Sequence, residues 1–190
     1  MAQSDNAGKG DAETAPADAA QAFGPRAGAQ AQGQARPQIQ EIATRGAWKV
    51  QCTDAPPGSP EAEAGKKACG MIQQARSDKN EKVGLSVVVS QVKRDGKTAT
   101  FMRLMAPIGV YLPGGIPIEI DGTALPNRMV FTRCIGPICE AMGEASPESL
   151  AKFKKGSVAT FYLYDRPGNG YPLKISLDGF GAGLADLDKL

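Results

Sequence analysis

From Arg45 to Leu177 the chain is a succession of short runs rich in β-branched and aromatic residues, punctuated by glycine and proline. The alternation is cleanest in "IPIEI", where Ile116, Ile118 and Ile120 share one face and Pro117 and Glu119 the other. It recurs in "LKISL", with Leu173, Ile175 and Leu177 directed inward and Lys174 and Ser176 outward. Many short strands separated by frequent turn signals assemble as an all-β sandwich or barrel. Strands are expected over Ala47–Cys52, Cys69–Ala75, Gly84–Lys93, Ala99–Met105 and Gly109–Leu112. Five more are expected over Ile116–Ile120, Arg128–Arg133, Ile138–Met142, Ser157–Tyr164 and Leu173–Leu177. Asp95-Gly96 and Asp121-Gly122 carry turn chemistry, and "RPGNG" at 166–170 reads as a solvated hairpin tip bearing Arg166.

One short helix is expected. Ser146 can cap it, Pro147 fits its first turn, Leu150 and Phe153 share a face, and Gly156 can end it. A single helical turn is allowed near "GAGLADL" at the C-terminus.

Residues 1–43 differ from everything that follows. Alanine, glutamine and glycine dominate, and large apolar side chains are almost confined to Phe23, Ile39 and Ile42. Such a segment buries too little surface to offset the entropy of ordering it, and its glycines and prolines interrupt any long helix. The expectation is a disordered tail over 1–43 and a folded domain over 44–190.

Composition narrows the function classes. With 22 basic and 20 acidic residues the formal charge is +2, which provides no nucleic-acid footprint. No apolar run approaches the roughly 20 residues of a membrane-spanning helix. The chain has no histidine, so Ser-His-Asp and Cys-His catalysis and the usual zinc-histidine sites are excluded. That absence weighs against an enzyme, because histidine is the commonest general acid–base residue.

Four cysteines form two sequence-local pairs. Cys52 and Cys69 flank a Pro/Gly-rich loop, and Cys134 and Cys139 flank "IGPI". Neither pair has C-x-x-C spacing, so a redox motif is disfavoured, and sixteen intervening residues make a four-cysteine zinc site a poor fit. Two structural disulfides, Cys52–Cys69 and Cys134–Cys139, are the preferred arrangement among the three connectivities four cysteines allow. Disulfides persist in oxidising compartments. "MAQSDNAGKG" carries neither the basic nor the apolar region of a secretory signal, so the expectation is a periplasmic or secreted protein whose signal has been removed.

"GAWKVQC" at 46–52, "APIGVYLPGGIPIEIDG" at 106–122, "RCIGPICEA" at 133–141 and "ISLDGFGAGLADL" at 175–187 occur in that order. Together they resemble the invasion-associated locus B family of bacterial envelope proteins, across about residues 44 to 188. The resemblance implies an immunoglobulin-like β-sandwich exported across the inner membrane of a Gram-negative bacterium, in the periplasm or at the outer membrane. It implies association with host-cell entry in some members, and no catalytic residue or cofactor. The family's cysteines correspond to Cys52, Cys69, Cys134 and Cys139, in keeping with the two disulfides.

Other residues have a structural reading beside a functional one. Trp48, four residues before Cys52, fits a sandwich core beside a disulfide rather than a ligand platform. "LPGGIP" at 112–117 lacks the lysine and helix of a phosphate loop and reads as a bend between strands. Lys152, Lys154 and Lys155 complement a helix C-terminus. Glu119, Asp121, Glu140 and Glu144 could supply paired carboxylates, with nothing to identify a substrate cleft. The leading expectation is a non-enzymatic envelope protein that binds an envelope or host protein through edge strands or end loops. The alternative is a periplasmic binder of a small molecule, metal or glycan, or a weak enzyme, using Trp48, tyrosines and carboxylates.

Overall fold

The computed structural model describes residues 38–55, 65, 67–94 and 96–190. Strands β1 (Gln40–Arg45), β2 (Trp48–Asp54), β3 (Lys67–Ser77), β4 (Asn80–Arg94) and β5 (Lys97–Pro107) pair in sequence as an antiparallel meander. A single 3-10 turn at Leu112–Gly114 leads to β6 (Ile118–Ile120) and β7 (Thr123–Ala124). The chain then returns to the first sheet as β8 (Phe131–Ile135) and β9 (Ile138–Glu144), completing the order β1-β2-β3-β4-β5-β9-β8. Helix α1 (Pro147–Lys155) precedes β10 (Val158–Arg166) and β11 (Asn169–Ser176), which form a four-stranded sheet ordered β11-β10-β6-β7. Helix α2 (Phe180–Leu187) closes the chain.

The two sheets enclose one core, as a β-sandwich requires. Alternation selects its members: Val50, Met71, Val87, Val89, Leu104 and Ala141 come from the large sheet. Ile118, Ile120, Ala159, Phe161, Leu163, Leu173 and Ile175 come from the small one. Two polar side chains that face inward are paired across the sheets. Gln73 on β3 reaches β11, donating to the Ser176 carbonyl at 2.9 Å and accepting from the Ser176 N–H at 2.9 Å. Trp48 is fully buried, and its Nε1–H donates to the same carbonyl at 3.1 Å.

Helix α1 has the expected boundaries. The Ser146 hydroxyl accepts from the Ser149 N–H at 3.1 Å, Pro147 sits in the first turn, and Phe153 is buried. The C-terminal turn is longer than expected and makes a second helix. Phe180, Leu184 and Leu187 bury one face of α2, and Gly183 lets the helix approach Met71. Phe180 contacts Trp48 edge-on and stacks on Phe153, with ring centroids 5.3 Å apart in both pairs.

Several boundaries depart from the sequence pattern; β4 and β11, for example, each begin four residues earlier than expected. β1 begins at Gln40, inside the segment expected to be tail; residues 1–37 of that segment lie outside the described residues. Its residues are mostly exposed, and it forms by pairing with β2 rather than by burying its own side chains. No strand forms over Gly109–Leu112, where Gly109 takes a φ of 95° and the chain turns toward the 3-10 segment. β8 begins three residues and ends two residues later than expected, which brings Cys134 into the ladder.

Both ends of the domain meet at one crossing. Gly179 adopts a φ of 82°, and a Cβ there would lie 2.0 Å from the Arg45 carbonyl oxygen. On the other side of the crossing a Cβ at Gly46 would lie 2.5 Å from the Asp178 carbonyl oxygen, and the Ala47 N–H donates to that carbonyl at 3.3 Å. Beside it, the Arg45 Nε–H donates to the Asp186 carboxylate at 2.6 Å.

Candidate interaction surface

The β8–β9 hairpin turns through Gly136 and Pro137, with Gly136 at φ 55° and Ile135 opposite Ile138. Cys134 and Cys139 are direct cross-strand neighbours, and they are joined by a disulfide with a Cα separation of 3.9 Å. Along β9, Cys139 and Ala141 point inward and are buried. Period-two geometry therefore sends Ile138, Glu140 and Met142 to the outer face. β9 is thus apolar on both faces, and only one has a partner sheet. Ile138 and Met142 remain 40% and 49% exposed, and Ile135 59%.

The same end of the sandwich collects more apolar surface. Ile108, at the exit of β5, is 59% exposed, and its N–H donates to the Pro137 carbonyl at 3.0 Å. Leu112, in the 3-10 turn, is 43% exposed. Beside the hairpin lies a shallow concavity of about 330 Å³, lined in part by Met105, Pro107, Pro137 and Ile138 and edged by Arg76 and Lys82. Arg133 and Glu140, across from each other on the outer face, form an ion pair at 2.8 Å. A rigid, apolar, cation-edged end of this kind is suited to contact with another surface.

The remaining candidate residues are scattered. Cys52 and Cys69 form the second disulfide, opposite each other on β2 and β3. Strands β3, β4 and β5 stand between β2 and β9, so the four cysteines make two separate staples and no common metal site. Trp48 belongs to the core and presents no platform. Glu119 accepts a hydrogen bond from the Tyr162 hydroxyl at 2.8 Å, which is the main cause raising the Tyr162 pKa above its ordinary range, with burial second. Asp121, at φ 49°, accepts from the backbone N–H groups of Ser157 and Val158 and so anchors a turn. On the large sheet, Glu140 is held by Arg133 of the neighbouring strand β8, and Glu144 lies further along β9. Of these four, Glu119 and Asp121 line one groove on the smaller sheet, and both carboxylates there accept internal hydrogen bonds, from Tyr162 and from the Ser157 and Val158 N–H groups. Lys152, Lys154 and Lys155 occupy the last turn of α1, where Lys152 pairs with Glu148 at 2.8 Å. Ile108 and Leu112 were hidden in sequence because "GVYL" has the composition of a strand.

A family model for the invasion associated locus B (IalB) protein matches residues 48–188, which include both disulfides, Trp48 and α2. The chain belongs to the invasion associated locus B family. Among solved structures, it is similar to the crystal structure of invasion associated protein b from Bartonella henselae. The TM-score is 0.56 at 18% identity, covering 80% of this chain and 96% of that one. At that identity the likeness concerns the fold. No curated protein sequence matches the chain. Among the described residues of this family member, no helix is long and apolar enough to cross a membrane.

Proposed function

We propose that this IalB-family protein is exported to the cell envelope and acts by binding another protein, without catalysis. The observation that carries the reading is the apolar end formed by Ile108, Ile135 and Ile138 on a disulfide-stapled hairpin. A water-exposed end of this composition costs solubility, and the staple holds it in one conformation before contact, which lowers the entropy lost on binding. Two disulfides suit an oxidising compartment, periplasmic or extracellular. The names of the family and of the similarly folded Bartonella henselae protein support a role connected with host-cell invasion.

Site-specific photo-crosslinking in the envelope tests the reading. A photoreactive residue at position 135 is expected to give a discrete protein adduct that Ile138→Asp abolishes. The same residue at position 154, on the far helix, is expected to give none. Identical adduct patterns from both positions, or none from position 135, would overturn it.

A further inference from the structure

The outer face of the smaller sheet carries a second set of groups that the apolar end does not use. On β10, Ala159, Phe161 and Leu163 are buried, so Thr160, Tyr162 and Tyr164 alternate to the outside. Register aligns them with their neighbours in rows. Glu119, Thr160 and Lys174 form one row. Pro117, whose carbonyl accepts from the Tyr162 N–H at 3.1 Å, stands beside Tyr162 and Pro172 in the next. In the last row Tyr164 lies opposite Gly170, and the Tyr111 N–H donates to its carbonyl at 2.6 Å.

The glycines make room for the rings. A Cβ at Gly170 would meet one edge of the Tyr164 ring at 2.9 Å, and a Cβ at Gly114 would meet the other edge at 3.6 Å. The face is thus half aromatic and proline, half hydrogen-bonding, and part of it forms a groove of about 570 Å³ that includes Glu119, Asp121, Thr160, Tyr162, Pro172 and Lys174. That volume is in the range of small-ligand sites.

We propose that this face binds a neutral oligosaccharide. Three observations select that chemistry. The groove sets Glu119 and Asp121 against Lys174, so a polyanion meets two carboxylates and a polycation meets the ammonium; with Asp121 taken up by the Ser157 and Val158 N–H groups, neither is favoured over a neutral ligand. The row offers both acceptors and donors side by side, which matches hydroxyl groups, each a donor and an acceptor. Finally, the Tyr162 hydroxyl already donates to Glu119. It is therefore not free to donate to the carbonyls of a proline-rich peptide, the other ligand that aromatic and proline surfaces accept. Its lone pairs remain open to a sugar hydroxyl, while the Tyr162 and Tyr164 rings and Pro172 provide apolar surface for the C–H face of a sugar ring. The site is separate from the Ile135–Ile138 hairpin, so either proposal can fail alone.

The test is a titration of the isotope-labelled full chain, disulfides intact, with a β-linked N-acetylglucosamine tetramer and a glucose tetramer, each to about 10 mM. Amide shifts are expected for at least one tetramer, centred on Thr160, Tyr162, Tyr164 and Lys174. Glu119→Gln and Lys174→Ala are each expected to raise its Kd about tenfold, the loss of one hydrogen bond to a charged group. Ile135→Asp is expected to leave it unchanged. The proposal is overturned if neither tetramer moves these amides, if a proline-rich peptide moves them and the tetramers do not, or if both row variants bind as tightly as the parent.

Discussion

Phe180→Ala probes whether α2 is part of the cooperative core. Phe180 is fully buried, stacks on Phe153 and meets Trp48 edge-on at 5.3 Å. Truncating a buried phenylalanine costs about 3–5 kcal/mol through lost transfer energy and the cavity left behind. Two aromatic contacts, each worth about 0.5–1.5 kcal/mol beyond area, place this site toward the top, at about 4–5 kcal/mol. Against a total of about 5–15 kcal/mol for a domain, this is a large fraction. The assay is equilibrium urea unfolding without reductant, followed by the fluorescence of Trp48, the chain's only tryptophan. With a slope of about 2 kcal/mol per molar, the midpoint should fall by roughly 2 M. Ile135→Ala, at an exposed position, should change stability by no more than about 0.5 kcal/mol. A loss below about 1 kcal/mol for Phe180→Ala would show that α2 folds apart from the sandwich and would refute the reasoning.

The two staples differ in loop length and exposure. On the chain-entropy model, removing Cys52–Cys69, at a separation of 17, costs about 3 kcal/mol, and removing Cys134–Cys139, at 5, about 2 kcal/mol; urea unfolding of the paired serine variants checks the order. Cys134 is exposed while Cys52 and Cys139 are buried, so limited reduction followed by thiol labelling and mass spectrometry should mark the 134–139 pair first. Gly179→Ala combines a φ of 82° with a clash on the Arg45 carbonyl, and should lower the melting temperature by more than any surface substitution in α2. Stability should be flat from about pH 5 to about pH 9, because the chain has no histidine. Asp186 is held below its usual pKa, chiefly by the Arg45 hydrogen bond, and Asp165 is held low chiefly by Asn169. The contribution of such depressed groups is present above their unfolded value and is lost as pH falls through the folded one. Stability should therefore drop below about pH 4, less steeply in Asp186→Asn. Tyr162, raised by Glu119, acts in the opposite direction: its contribution is lost as pH rises past about 10.

The sandwich was legible where alternation and burial agree. "IPIEI" and "LKISL" put Ile116, Ile118, Ile120, Leu173, Ile175 and Leu177 in the core, as their period demands. β1 was not legible, because "QEIATR" turns only the small Ala43 toward the core and is a strand chiefly by virtue of its ladder to β2. α2 was under-read for a related reason. Gly181 and Gly183 weaken helix propensity, yet Gly183 is what allows Phe180, Leu184 and Leu187 to dock against the large sheet. Spacing and the Gly-Pro turn favoured the local cysteine pairing among three connectivities without deciding it. The exposure of Ile135, Ile138 and Ile108 could not, since it depends on which strand lies at the sheet edge and on which face has a partner. The tyrosine rows were equally invisible, because they depend on a register between strands far apart in sequence.

The glycine crossing of Arg45–Gly46 with Asp178–Gly179 has a consequence for biogenesis. Each disulfide joins partners within a single hairpin, so both can form on an emerging chain. The sandwich itself cannot lock until the segment carrying Gly179, Phe180 and Asp186 has arrived, because those residues complete the contacts made by its first two strands. A polypeptide built this way stays threadable until its final residues are delivered. For the export proposed above, that timing suits passage through a secretion pore as an extended chain, with closure deferred to the far side.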